Sequence, residues 1–275
     1  MTQPIRVRRP HPARGERPVA AVAALFGLFL GLPVVALVAR ALLDGSLGRA
    51  ISSRVVLDAL ALSLVTTAIS LVITVALGLP LAFVLARRSF RGKGWIEAIV
   101  DLPIVLPPSV AGLALLLVFG RRGLLSQPLE GLGISVPFTT IAVILAQTFV
   151  SAPFFIRSAR TGIASVDPDL EDAARVDGAS EGQLFRAITV PLASAALAAG
   201  LVMTWARSLG EFGATIMFAG NVEGRTQTLP LVVYAEFQGG DLDASVAAAA
   251  ILVIAAFGVL IAVRVFGWGQ LLRAA

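Results

Sequence analysis

Arg207 and Glu211 are the side chains in this 275-residue sequence whose type and spacing most suggest chemistry. They are the only charges inside the apolar stretch 190–218, and at four residues apart they share one helix face. An unpaired charge at the centre of a bilayer costs about 2.5–3.5 kcal/mol on the mildest insertion scale, so in a spanning helix both must face protein or a water-filled cavity. Either Arg207 flanks an anion path with Glu211 orienting it, or the two form a structural pair near the outer interface. Ser208 and Thr215 beside them can offer hydroxyl donors to a tetrahedral oxyanion, or can bond their own helix. Covalent and metal chemistry has little to work with. The chain has no cysteine, and its one histidine, His11, sits in a basic tail, which leaves a membrane-embedded hydrolase without a nucleophile–base pair or a metal set. A phosphate-binding G-x-x-x-x-G-K loop is also missing, because Gly92-Lys93 has Arg87 where the first glycine should stand. Any ATP must therefore bind another chain.

The elements that position these residues are set by the solvent. Hydrophobic residues make up 57% of the chain and charged residues 14%, with mean hydropathy +0.89, against a charged share of roughly a quarter in soluble domains. The apolar residues fall into long runs, so lipid is the expected environment. Six runs approach or exceed the ~20 residues needed to cross a bilayer: 19–43, 57–86, 99–119, 139–156, 190–218 and 244–266. Period-2 alternation, which a membrane barrel requires, is absent. The first run is too long for a signal-peptide core and lacks a small-residue cleavage pattern, so it is expected to remain as a span. Pro103, Pro107 and Pro108 must disturb the third span, and Gly210 and Gly213 loosen the fifth; such breaks free backbone groups that can line a pathway or gate, and they also serve helix packing.

Basic residues orient the bundle. With the N-terminus inside, Arg6, Arg8, Arg9, Arg14, Arg17, Arg87, Arg88, Arg91, Lys93, Arg157, Arg160, Arg175, Arg186, Arg264 and Arg273 fall inside, against Arg40, Arg49, Arg54, Arg121, Arg122 and Arg225 outside. The positive-inside bias places both termini, the tails 1–18 and 267–275, in the cytoplasm. A pI near 11.1 therefore reports membrane orientation, not nucleic-acid binding.

The cytoplasmic loop 165–191 differs from the rest of the chain. Six of the seventeen acidic residues lie in it: Asp167, Asp169, Glu171, Asp172, Asp177 and Glu181. Asp167 before Pro168 predicts a helix start, with acids in its first turn and Gly178 as its stop; Ser180 predicts the cap of a second helix running through Gln183 to Ile188. The expectation is a helix, a tight turn and a second helix held outside the lipid.

Within that loop, Asp172-Ala173-Ala174, Gly178, Ile188, Val190 and Pro191 resemble the EAA loop of ATP-binding-cassette (ABC) importer permeases, with Asp172 in place of Glu and Val190 in place of Leu. The resemblance implies an all-α type I importer permease fold, six transmembrane helices in one domain (19–266) with a coupling helix-turn-helix. It also implies a coupling role for Glu171, Asp172, Ala173, Ala174, Gly178, Ile188 and Pro191 against a separate cytoplasmic ABC ATPase dimer, which would bind ATP and magnesium; no cofactor is expected in this chain, and no catalysis. Small Ala173 and Ala174 allow close approach of a partner, and Gly178 permits the sharp turn.

The segments 101–108 (DLPIVLPP), 119–123 (FGRRG), 209–215 (LGEFGAT), 220–221 (GN) and 226–231 (TQTLPL) are similar to the molybdate branch of oxyanion importers. That similarity implies a bacterial or archaeal inner-membrane permease for molybdate or tungstate; sulfate and thiosulfate permeases share much of it. The expected translocation path includes Arg207, Ser208, Glu211, Thr215, Pro107 and Pro108. Outer segments 120–137 and 221–243 are too short for a ligand-binding domain, so a separate oxyanion-binding protein is expected to dock there, with 228–238 forming a small surface helix. Six spans are too few to enclose a path alone, so a two-fold homodimer is expected. An ion-coupled secondary transporter would show internal repeats and midplane carboxylates; there is no repeat, and Glu211 is the one candidate carboxylate.

Overall fold

The computed structural model describes residues 16–271, with side chains from 18 to 261. The tail 1–18 falls almost wholly outside this range, as does His11, and the side chains of Arg264 and Arg273 are not among those described. The described residues are helical in thirteen pieces: α1 (Glu16–Leu43), α2 (Ser46–Ser52), α3 (Arg54–Arg87), α4 (Lys93–Val105), α5 (Pro108–Phe119), α6 (Ser126–Gly131), α7 (Thr140–Ala164), α8 (Pro168–Val176), α9 (Glu181–Leu184), α10 (Val190–Leu209), α11 (Gly213–Phe218), α12 (Leu229–Gln238) and α13 (Leu242–Leu271), with a π-helical turn Phe185–Thr189 joining α9 to α10. Five of these rods are long and apolar enough to cross a membrane.

Three expected elements are corrected. The span 99–119 is not one rod: the chain bends by 119° between α4 and α5, across Leu106 and Pro107. Consecutive prolines remove two amide donors and force the preceding residue out of the helical region, so the rod cannot pass through them; Pro108 instead starts α5. The span 190–218 ends at Leu209, and the chain is irregular from Gly210 to Phe212 before α11 begins. The helix capped by Ser180 does not stop at Ile188 but runs on through the π turn into α10, giving a continuous 29-residue element Glu181–Leu209. Pro191 explains that turn: it cannot donate to the carbonyl four residues back, and the wider π winding accommodates its ring.

The centre of the bundle is α7, which packs along both α3 and α10. Lipid tails are as apolar as leucine, so these helices need close approach and internal hydrogen bonds to associate. The buried face of α3 accordingly carries Ser63, Thr66, Thr67, Ser70, Thr74 and Gly78 at helical spacing. Ser208 on α10 donates to Ser151 Oγ of α7 at 2.9 Å and lies 3.3 Å from Ser70 Oγ of α3, while Thr148 Oγ1 donates to Ser70 Oγ at 3.0 Å. A Cβ on Gly200 would come within 2.9 Å of Ser158 Cβ, and one on Gly162 would overlap Ala196 Cβ. Glycines there let the two backbones touch.

The expected surface helix 228–238 is also corrected. As α12 it drives its first turn into the bundle, where Leu229 and Leu231 are fully buried and the Leu229 N–H donates to Ser63 Oγ at 2.8 Å. Ser63 is nine residues along α3, which sets this contact about 14 Å below the end of that helix.

Overpacking the α7–α10 seam should separate those helices. Gly162→Leu is expected to lower stability by about 1–3 kcal/mol or more, read as a drop in the thermal midpoint of the detergent-purified protein; Gly258→Leu, where no atom lies within 4 Å, is expected to leave it unchanged.

Candidate functional site

Two sites carry the residues singled out above. The first is the loop 165–191. Asp167 caps α8 by accepting the Asp169 N–H at 3.0 Å, with Pro168 in the first turn. At the other end Gly178 adopts φ 88°, the Gly178 N–H donates to Arg175 O at 3.0 Å and the Ala179 N–H to Ala174 O at 2.9 Å. This crossed pair of bonds is the Schellman closure of a helix, which needs a residue in the left-handed region. No atom lies within 4 Å of where a Gly178 Cβ would project, so the backbone conformation, not lack of space, calls for glycine. Ser180 and Gln183 then form a capping box on α9.

Charges brace this unit internally. Arg175 donates to Asp172 at 2.7 Å and across the turn to Glu181 at 2.8 Å. The hydrogen bond from Arg175 holds the Glu181 carboxyl below its usual range, and the bonds it donates to Glu181 and then Asp172 raise the guanidinium further above its own. Since the carboxyl is depressed, the brace contributes fully above the ordinary glutamate pKa and is lost as pH falls through the lowered value.

Glu171 behaves unlike the other acids. Its side chain is buried, accepting Arg87 Nη2 at 2.6 Å and Thr189 Oγ1 at 2.9 Å, while Arg87 also donates to Val166 O. One carboxylate therefore ties α8 to the end of α3 and to the π turn. A cavity of about 350 Å³, lined by Phe83, Arg87, Arg88, Glu171, Arg175 and Glu181, opens beside this anchor. Facing away from the bundle, Leu170, Ala173 and Val176 make an exposed stripe at i, i+3 and i+6; Val176 is 88% exposed. Ala174 and Ile188 are half-buried, and Asp172 and Pro191 are exposed.

The second site is the break after α10. Glu211 is 1% exposed and bridges it: Oε2 lies 2.5 Å from Arg207 Nη1, and Oε1 accepts the Ala214 N–H at 2.7 Å. The two carboxylate oxygens thus have separate partners, one an ionic contact and the other a backbone hydrogen bond. Pro108 comes to the same place, since a Cβ on Gly213 would sit 2.7 Å from Pro108 Cβ. Pro108 thus packs on Gly213, two residues from Glu211, and Pro107 lies exposed at the adjoining bend. Ser208 points the other way, into the buried hydroxyl seam, and Thr215 is buried with no partner for its hydroxyl.

Depth follows from the seam. Ser208 meets Ser70, the seventeenth of the 34 residues of α3, and Ser151, the twelfth of the 25 of α7. Arg207, next to Ser208, is therefore level with the middles of α3 and α7. Its side chain is 29% exposed and lies beside Met203, Ala206 and Gly210, which are all exposed. A guanidinium open to hydrocarbon at that depth is costly, so this face of α10 must front water or another protein. Seventeen helical steps, about 26 Å, separate Val190 at the loop end of α10 from Arg207.

Sequence spacing does not reveal Arg87 or Thr189 as holders of Glu171, because the partners are 84 and 18 residues away. The hydroxyls of α3 did leave a signal, recurring at helical spacing within an apolar run.

Comparison with known proteins adds the following. Residues 78–268 match the model of the family described as binding-protein-dependent transport system inner membrane component. The molybdenum transport system permease protein ModB of Mycobacterium bovis is 45% identical over 205 residues, covering 74% of this chain and 77% of that protein. A probable molybdenum ABC transporter permease of Haloferax volcanii is 40% identical over 242 residues, covering 87% and 86%. Among solved structures, a chain of a bacterial ABC transporter involved in alginate import aligns with TM-score 0.74 at 18% identity, covering 91% of this chain and 93% of that one. A chain of an inward-facing methionine ABC transporter aligns with TM-score 0.59 at 20% identity, covering 80% and 95%. At those identities the structures show a shared fold.

Removing Glu171 should release α8. Glu171→Ala strands a largely buried Arg87 and is expected to cost about 3 kcal/mol locally, raising the rate of tryptic cleavage after Arg186 by about one to two orders of magnitude. Asp172→Ala, at an exposed position, is expected to leave that rate within about twofold.

Proposed function

This chain belongs to the family of binding-protein-dependent transport system inner membrane components, and on that premise we propose that it is the permease subunit of an ABC importer for molybdate, with tungstate as a second cargo. Relatives at 40–45% identity over most of their length carry names for molybdenum transport. The observation that carries the reading is the exposed stripe Leu170, Ala173 and Val176, on a helix capped at both ends and braced by salt bridges. An apolar stripe on an otherwise acidic helix in water fits a groove on another protein. A separate ATPase subunit is the partner that supplies work, and the charges around the stripe set its register.

Force has a defined route. The Schellman closure, the capping box and the Arg175–Glu181 bridge make α8 and α9 one lever. That lever is continuous with α10 and is tied to α3 through Glu171 and Arg87. Movement of α8 therefore moves α3 and α10 together, and these are the helices that frame Arg207. In this reading Arg207 flanks the path and Glu211 orients it, Pro107 and Pro108 supply the bend of a gate, and Thr215 offers its free hydroxyl near the path. Ser208 contributes through the seam behind it. The two-fold partner is a second copy, whose α10 faces this one across the path; cargo arrives from an extracytoplasmic binding protein at the end opposite the loop. Both termini lie in the cytoplasm, in keeping with the basic residues of the loop side.

Two outcomes test the coupling role in proteoliposomes containing the whole complex. Gly178→Val places a β-branched residue at positive φ, a strain of about 1–2 kcal/mol or more, and is expected to reduce ATP-driven molybdate uptake about tenfold or more while the protein still inserts; Gly178→Asn, which tolerates that conformation, is expected to retain most of it. Val176→Asp is expected to weaken copurification of the ATPase subunit about tenfold or more by burying a charge in the groove. Uptake of sulfate in place of molybdate by the wild-type complex would reassign the cargo.

A further inference from the structure

We infer that Arg207 is a mid-membrane oxyanion subsite whose resting counter-ion is Glu211, and that a tetrahedral dianion takes the place of that carboxylate on the guanidinium as it passes. The inference rests on the oxyanion-permease reading and deepens it.

Three observations carry it. The first is the depth of the pair, fixed by the contacts of the neighbouring Ser208 with the middles of α3 and α7. A permanent positive charge there needs a counter-charge whenever the path is empty, and Glu211 supplies one at 2.5 Å. The second is an asymmetry of access. Glu211 is 1% exposed, whereas Arg207 is 29% exposed on the open face of α10 that also presents Met203, Ala206 and Gly210. An ion arriving along that face meets the guanidinium and not the carboxylate, so the site selects anions. The third is the division of the carboxylate. Its Oε2 meets Arg207, while its Oε1 separately accepts the Ala214 N–H at 2.7 Å. Glu211 can therefore give up Arg207 and keep a partner.

The exchange suits the cargo. A guanidinium presents paired N–H donors at a spacing that matches two oxygens of a tetrahedral oxyanion, and charge-assisted bonds of that kind are short and strong. A dianion outbids a single carboxylate, yet the carboxylate remains close enough to reclaim the arginine and expel the cargo. Glu211 also caps α11, which packs on α5 with no space between Gly112 and the Ala214 backbone and with Gly213 against Pro108. Its release and return are thereby felt at the bend between α4 and α5.

The test uses the reconstituted permease–ATPase complex with its binding protein. Glu211→Gln keeps an acceptor for Ala214 N–H but removes the charge, leaving Arg207 uncompensated. Expected results are tighter direct binding of molybdate to the complex without binding protein, by about tenfold or more, and slower uptake by a similar factor. Arg207→Lys, which keeps the charge and loses the fork, is expected to weaken that binding. Binding and uptake by Glu211→Gln within about twofold of wild type would overturn the inference. Should Glu211→Gln fail to assemble, a second measurement decides. Ala206→Cys introduces the only thiol of the permease, and a water-soluble thiol reagent is expected to label it during turnover, with molybdate but not chloride slowing the reaction. No labelling, or labelling that molybdate leaves unchanged, also overturns it. Absence of molybdate uptake by the wild-type complex would instead defeat the functional reading itself.

Discussion

In lipid, every polar group must find its partner within the protein, and this constraint shapes the whole chain. Hydroxyls of α3, α7 and α10 meet inside the bundle, where Ser208 bonds both Ser70 and Ser151. Glycines and alanines beside them bring the backbones close enough for those bonds to form. Association of the central helices thus depends on small and polar residues, in place of the large apolar side chains that would drive it in water.

The same constraint accounts for the break after α10. A helix that ends inside the bundle leaves carbonyls and amides without partners. Glu211 answers for one of them by capping Ala214, and its charge is answered in turn by Arg207. A structural repair and an ionic site are one arrangement, which is why a glutamate serves where an uncharged cap would satisfy the backbone equally well. On the far side of the break, Pro108 and Gly213 touch, so the discontinuities in two helices are packed against each other.

In the loop 165–191 the logic changes. This loop is stabilised by caps, a left-handed glycine and exposed salt bridges, and its apolar stripe is exposed. Glu171 joins the loop to the bundle. Being buried where its acidic neighbours are exposed, it fastens α8 to the end of α3. The π turn before Pro191 fastens it to α10. Membership in a family of transport permeases gives this mechanical continuity its meaning.

The sequence by itself determined the solvent, the approximate extent of four spans and the caps and turn of the loop, and it set Arg207 and Glu211 within reach of each other, although Glu211 lies beyond the end of α10. Each of these follows from composition or from residues within about four positions of one another. Proline and glycine marked where spans three and five would be disturbed, but not how far, since the 119° bend between α4 and α5 depends on what each packs against. Only the tertiary structure decided that Glu171 is an anchor, because Arg87 is 84 residues away. The depth of Arg207 and the entry of α12 into the bundle were decided there too. Both are set by contacts between helices distant in sequence, and hydropathy along a chain carries no record of which faces will touch.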